Sequence, residues 1–178
     1  MKVLLIRHCS ATGQHPEAPL SQEGESQALE LAKFLHPLRV SRIVSSPFTR
    51  AISSASPLSD LTGISIEVDP RLAERALGEV VDGDWQRALR ETFDNFDLTL
   101  SNGESSRLAQ TRGRSVIDEA FASSHAVTAI FSHGNLLSLI ANSFDRGIGY
   151  DFWANLSNPD VFELSRSETI VTLQRIWK

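Results

Sequence analysis

Leu4-Leu5-Ile6-Arg7-His8 decides how the rest of the chain is read. Val3 to Ile6 are apolar at every position, with no polar alternation, which is the pattern of a strand covered on both faces inside an α/β protein. Polarity begins abruptly at Arg7 and His8. In open α/β sheets ligands bind just beyond such strand ends, so the run reads as a buried central strand delivering Arg7 and His8 to a pocket. Ala129-Ile130-Phe131-Ser132-His133-Gly134-Asn135 repeats the pattern: an apolar run ends at a histidine and a glycine and passes into an apolar helical stretch. A single histidine after a strand is more often a loop or core residue; a second one in matching context makes a shared site the stronger reading.

Working outward, 178 residues are enough for one domain with a real core. A hydrophobic content of 41% is ordinary for a soluble globular protein, and no apolar run approaches the roughly 18 residues that would span a bilayer. Met1-Lys2-Val3 leads straight into the strand, so no signal peptide is visible and a cytoplasmic location is expected. The single cysteine, Cys9, excludes an internal disulfide and any cysteine-cluster metal site. A formal charge of -5 argues against nucleic acid as a partner, and neither a membrane nor a cofactor is expected.

In chain order, residues 9 to 21 form a loop long enough to line a site. Ser21 is an N-cap for a helix with Ala28, Leu31, Ala32 and Leu35 at helical spacing, ending before Pro37. Ile43 to Ser46 is a second strand. Pro47 suits the first turn of the following helix, which carries Arg50, kinks at Pro57 and stops before Gly63. Ile64 to Val68 alternates as an edge strand. Residues 71 to 104 are the least regular, with a helix over about Trp85 to Phe96, and read as an insertion covering the active site and bearing Glu74. A helix over about Ser106 to Ser123 turns Leu108, Val116, Ile117, Ala120 and Phe121 inward. The strand Val127 to Ser132, a helix over Leu136 to Ser143, and a hairpin of Val161 to Leu164 with Ile170 to Ile176 complete the chain. Alternating strands and helices imply a three-layer α/β/α sandwich, a mostly parallel central sheet with helices on both faces, in one domain over 1–178.

Two histidines and two arginines at strand ends or helix starts, with one acid in a covering segment, are what phosphoryl transfer through a phosphohistidine requires. A neutral imidazole nitrogen attacks phosphorus, guanidiniums neutralise the oxygens, and a carboxylic acid protonates the leaving alkoxide. Charge stabilisation by Arg and His leaves no need for a metal.

These motifs resemble the histidine phosphatase superfamily, in its phosphoglycerate-mutase-like branch of small phosphatases. Leu5-Ile6-Arg7-His8 is similar to the family's opening "Arg-His-Gly" motif, which implies His8 as nucleophile and Arg7 as a phosphate ligand. Ser45-Ser46-Pro47-Phe48-Thr49-Arg50-Ala51 matches "Ser-Ser-Pro-x-x-Arg-Ala", implying Arg50 as the second phosphate-binding arginine. Leu72-Ala73-Glu74 with Gly78 looks like "Leu-x-Glu-x-x-x-Gly" and implies Glu74 as proton donor, with Glu79, Asp82 and Asp84 the nearest alternatives. Gly103-Glu104-Ser105 and Ser132-His133-Gly134 match "Gly-Glu-Ser" and "Ser-His-Gly"; the resemblance implies that His133 hydrogen-bonds the transferring phosphoryl group and places Gly134 among the substrate-binding residues. Cys9 stands where the family usually has Gly. Gln14 stands where it often has a phosphate-contacting Asn, and is carried over as a substrate-binding candidate. The segment Gly78-Glu79-Val80-Val81-Asp82-Gly83 lacks the Trp often found after "Gly-Glu".

The expectation is therefore a metal-independent phosphatase acting on a small-molecule phosphomonoester through a phosphohistidine on His8. A phosphoglycerate-mutase-type transfer is the runner-up, and a catalytically weak phospho-ligand-binding module is the alternative from a different class. Cysteine chemistry at Cys9 is disfavoured because the arginine its signature demands is absent: the position six residues on is His15. His15, His36 and His125 lie outside any motif and are read as non-functional. The physiological phosphoester and the oligomeric state stay open at this level.

Overall fold

The computed structural model describes every residue except Asp82, Glu168, Thr169 and Lys178. Its centre is a six-stranded sheet. The strands are β1 (Lys2–Arg7), β2 (Arg42–Ser45), β3 (Ile66–Val68), β4 (Val127–Ser132), β5 (Asp160–Ser167) and β6 (Ile170–Arg175), in spatial order β3-β2-β4-β1-β5-β6. β3, β2, β4 and β1 run parallel, whereas β5 pairs antiparallel with β1 and β6 antiparallel with β5.

The unbroken apolar runs have the reason expected of them. Successive strand residues face opposite sides, and in β1 Leu4 and Ile6 enter one core while Val3 and Leu5 enter the other. The first core takes Leu31 and Leu35 from α1 (Gln22–Leu35) and Ala55 and Leu58 from α2 (Thr49–Thr62). With α3 (Trp85–Asp94) lying in the segment between β3 and the next long helix, the second core takes Val116, Ile117, Ala120 and Phe121 from α4 (Ser106–Ala122). It also takes Leu136, Leu137 and Ile140 from α5 (Gly134–Asn142). The three layers are thus α1 and α2, the sheet, and α4 and α5. No helix of the described residues is long and apolar enough to cross a membrane.

Local chemistry sets the helix starts. The Ser21 and Ser105 hydroxyls accept the N–H groups of Gly24 and Leu108, capping α1 and α4, and the Asp84 carboxylate does the same for Arg87 in α3.

Three expectations from sequence need correction, and one element was not expected. α2 begins at Thr49 with Phe48 as its N-cap, so Pro47 lies ahead of the helix rather than in its first turn; its end at Thr62, before Gly63, is where it was expected. Leu108 is 64% exposed, not inward. At about 100° per residue it is Ala109 that shares a face with Val116, seven residues on, and Ala109 is fully buried. The third strand is only Ile66–Val68. A short helix, α6 (Tyr150–Ala154), follows α5 with no apolar periodicity to announce it.

The segment from 71 to 104 is tied at its base: the Glu79 N–H donates to the Ser101 carbonyl (2.9 Å) and the Glu104 N–H to that of Ala76 (2.8 Å). Arg112 reaches across from α4, bidentate on Glu104 (2.7 and 2.8 Å) and donating to the Ala73 carbonyl (2.9 Å), which fixes the chain next to Glu74.

Candidate active site

Three parallel strands end side by side and deliver the site. His8 follows β1 and its N–H donates to the Ser132 carbonyl at the end of β4 (3.0 Å). Ser46 follows β2 and its N–H donates to the Phe131 carbonyl (2.9 Å). His133 follows β4 as the N-cap residue of α5. The two imidazoles meet edge to face, with ring centroids 5.1 Å apart.

The His8 Nδ1 lies 2.7 Å from the Cys9 carbonyl oxygen. A carbonyl only accepts, so Nδ1 carries the proton and Nε2 presents a lone pair. That lone pair accepts the Arg50 Nε–H at 3.1 Å, and Arg50 Nη1 donates to the Gln14 and His15 carbonyls (3.1 and 2.9 Å). Burial pushes the His8 pKa down to about 4, against the pull of the Cys9 carbonyl, and the Arg50 and Arg7 charges add to the depression. His133, fully buried, is held well below the usual histidine range by burial, then by His8 and Arg50. Both rings are neutral near pH 7.

The Ser46 hydroxyl accepts the Phe48 N–H (3.2 Å) and stands 2.7 Å from His133 Nε2. Assigned from this network, the hydroxyl proton goes to Nε2, and the tautomer leaves Nδ1–H as a donor. Nδ1 is buried without a partner, as is the Nε of Arg7. Arg7 is anchored through Nη1 to the Leu156 and Ser157 carbonyls (3.0 and 3.4 Å). Gly134 makes room for it: a Cβ there would stand 3.1 Å from Arg7 Nε.

Glu74 closes the arrangement from the 71–104 segment. Its Oε1 accepts the N–H groups of Arg75 and Leu136 (both 2.9 Å) and its Oε2 that of Asn135 (3.1 Å), which pins the carboxylate over the first turn of α5. Of the alternative donors, Glu79 accepts from Asn102 and Asp84 caps α3; neither lines the pocket, and Asp82 lies outside the described residues.

A cavity of about 620 Å³ joins these groups. Arg7, His8, Gln14, Glu74 and Gly134 line it, as do Arg75, Asn135, Asn158 and two tryptophans, Trp85 and Trp153. Arg50 and His133 do not line it; both contact His8, Arg50 through its Nε and His133 edge to face. The structure therefore brings together all seven residues singled out from sequence, with Gln14 contributing an exposed side chain and a carbonyl for Arg50.

Sequence reasoning assigned no role to Ser46, Arg75, Asn135, Trp153 or Asn158, whose side-chain amide donates to the His8 carbonyl at 2.7 Å. Ser46 stood inside a quoted motif, which was the available signal. Asn158 and Trp153 come from a stretch without one. The side chains of His15, His36 and His125 do not line the cavity. Cys9 is buried, and burial pushes its thiol up to about 11, which is the wrong direction for a nucleophile. Among the described residues no group of His, Cys, Asp or Glu side chains is arranged to hold a metal ion.

Paired neutral imidazoles and two guanidiniums thus gather where the parallel strands of an α/β sheet end, with the Glu74 carboxylate over them. The chain belongs to the histidine phosphatase superfamily (branch 1), whose sequence model matches residues 3–175. It is 29% identical to a putative phosphoserine phosphatase 2 of Hydrogenobacter thermophilus, over 98% of this chain and 96% of that one. It is 25% identical to a probable phosphoglycerate mutase of Erwinia tasmaniensis, over 80% and 74%. Among solved structures, a mycobacterial glucosyl-3-phosphoglycerate phosphatase in complex with VO3 superposes with a TM-score of 0.82 at 23% identity, covering 98% of this chain and 97% of that one.

Proposed function

We propose that the protein is a metal-independent phosphatase that hydrolyses a small-molecule phosphomonoester through a phosphohistidine on His8. The observation that carries this reading is the state of His8, which lines the cavity: neutral, with Nδ1–H tied to the Cys9 carbonyl and the Nε2 lone pair accepting only the Arg50 Nε–H. In the first step Nε2 attacks phosphorus and the bond to the leaving oxygen breaks. The Arg7 Nε–H and His133 Nδ1–H, both buried without a hydrogen-bond partner, are the donors that meet the phosphoryl oxygens, and Arg50 turns its Nε from the imidazole to the same charge.

Glu74 gives its proton to the departing oxygen. Each carboxyl oxygen has two acceptor sites; those of Oε1 are filled and one on Oε2 remains, so Oε2 is the atom that carries the proton. In the second step water attacks the phosphohistidine, its proton passes to Glu74, and the P–N bond breaks to release phosphate. The segment of about 71–104 is the cover that carries Glu74 and walls the leaving-group side. With two phosphate-binding arginines and His133 in place, the charge is met without a metal.

The test is turnover of para-nitrophenyl phosphate in EDTA, with rapid quench of labelled substrate. An acid-labile, base-stable phosphoramidate should form and be lost in His8→Ala. Label on Cys9 or on a serine, or activity that returns only with a divalent ion, overturns the mechanism.

A further inference from the structure

A second cavity lies against α6, the helix whose Trp153 lines the phosphate cavity. It encloses about 760 Å³, more than the phosphate cavity, and shares no lining residue with it. Ile148, Phe152 and Leu156, on α6 and its flanks, form one wall, and Phe162, Val171 and Leu173 of the β5–β6 hairpin form the other, with Phe144 beside them. Val171 and Leu173 pack on the core yet stay only half-buried. A concave lining that is mostly apolar and aromatic, with a few polar groups at its edge, is the make-up of a small-molecule site.

The rim charges decide which head group such a molecule carries. Three charged side chains reach the cavity, Asp145, Asp151 and Arg175. Arg175 is engaged by the fully buried Asp160 at 2.9 and 2.7 Å, so that side is close to neutral. The Asp151 side chain is 85% exposed and meets Arg90 at 3.5 Å, a pair that solvent screens. Asp145 accepts the Gly147 N–H at 2.9 Å and, among the described residues, has no cation within ion-pair distance. The balance is negative, and phenylalanine rings, of which the lining has three, attract cations to their faces.

Two parts of this wall also support Arg7. The Leu156 carbonyl accepts Arg7 Nη1, and Arg175 clamps the Asp160 carboxylate that accepts the Ser157 N–H. One flank of that support therefore faces open space and lacks the contacts a filled interior would give it. We propose that the cavity is an effector site for a small organic cation, an ammonium group on an apolar or aromatic body, and that filling it steadies the Leu156–Ser157 stretch and so tightens phosphate binding at Arg7. The coupling rests on the reading of Arg7 as a phosphate ligand; the cation site does not.

The probes 3-phenylpropan-1-amine, 3-phenylpropan-1-ol and 3-phenylpropanoate share one body and differ in head group. Their binding is followed by methyl NMR, with the signals of Ile148, Leu156, Val171 and Leu173 marking this cavity and those of Leu77 and Leu89 the other, in protein with and without saturating inorganic phosphate. The amine should bind here about threefold to fivefold more tightly than the alcohol, and about tenfold more tightly than the carboxylate. Bound phosphate should tighten the amine about twofold or more, and by linkage the amine should tighten phosphate by the same factor. Asp145→Asn, which keeps an acceptor for the Gly147 N–H, should reduce the preference for the amine. Val171→Trp, which fills the cavity from the edge strand, should remove binding of all three probes and leave turnover of para-nitrophenyl phosphate unchanged; if it does not fold, Asp145→Asn carries the test. Amine shifts confined to Leu77 and Leu89, binding of the alcohol or the carboxylate as tight as that of the amine, a preference untouched by Asp145→Asn, or amine and phosphate that do not tighten each other overturns the proposal. A protein that binds the amine in this cavity but no phosphate would overturn the reading of Arg7, and the coupling with it, and leave the cation site standing.

Discussion

At the scale of single residues, burial keeps two histidines from charging. An unfolded imidazole takes up a proton near pH 6.5, whereas His8 in the fold does so only at about 4 and His133 resists as well. Between those values the unfolded chain binds more protons than the native one, so stability falls as pH drops through the window and the His8 contribution levels off below about 4. For His8 the gap corresponds to about 3 kcal/mol. Ring-proton NMR of the ligand-free protein should find both imidazoles still neutral at pH 5.5, and calorimetry should find Tm falling from pH 7 to 5; a His8 that titrates near 6.5 would defeat the account. Glu74 is testable through its leaving group. An alkoxide needs a proton and gains typically 10² to 10⁴-fold from a general acid, whereas nitrophenolate leaves without one. Glu74→Gln should therefore lose far more rate on an alkyl phosphate than on para-nitrophenyl phosphate, and equal losses would reduce Glu74 to a cap on α5.

At the scale of elements, what sequence made legible was what local chemistry dictates. Val3 to Ile6 and Ala129 to Ser132 declared buried strands by unbroken apolarity, and Ser21 and the helical spacing behind it declared α1. Leu108 was misread because a helical face needs the phase of Ala109 and Val116, and a single large apolar residue does not set it. α6 is too short for a period, and its aromatic residues are explained only by what they meet: Tyr150 receives Arg90 over its ring at 3.9 Å and Trp153 meets Trp85 edge-on at 5.9 Å, joining α6 to α3 across the pocket. The base of the 71–104 segment depends on Gly78. It has φ of +95°, and a Cβ there would stand 2.7 Å from the Ser101 carbonyl oxygen. Gly78→Ala should cost about 1–3 kcal/mol in chemical denaturation. It should also lower kcat/KM beyond what the lost stability explains, since Glu74 rides on the same segment; an unchanged midpoint would show that the crossing can relax.

At the scale of the whole molecule, the site joins distant parts of the chain. The motif residues were readable because each sits at a strand end or helix start, but what holds Arg7 was not, because it is a chain of contacts with no sequence pattern. Arg7 hangs on the Leu156 and Ser157 carbonyls; the Ser157 N–H donates to Asp160 at 3.0 Å; and the fully buried Asp160 is clamped by Arg175 on β6 at 2.9 and 2.7 Å. Arg175→Leu strands that carboxylate, and since the arginine is itself partly exposed the cost should be about 2–3 kcal/mol, below the value for a fully buried pair. Phosphate binding followed by calorimetry should weaken several-fold in this variant, and unchanged binding would free Arg7 from the clamp. The antiparallel hairpin has a consequence for the protein's birth. The histidines and arginines of the pocket are all translated before β5 and β6, and domains generally order as units once their chain has emerged. A nascent chain still lacking Arg175 thus carries Arg7, His8, Arg50 and His133 without the clamp on Asp160, so the anchor of Arg7 is the last part of the site to be completed.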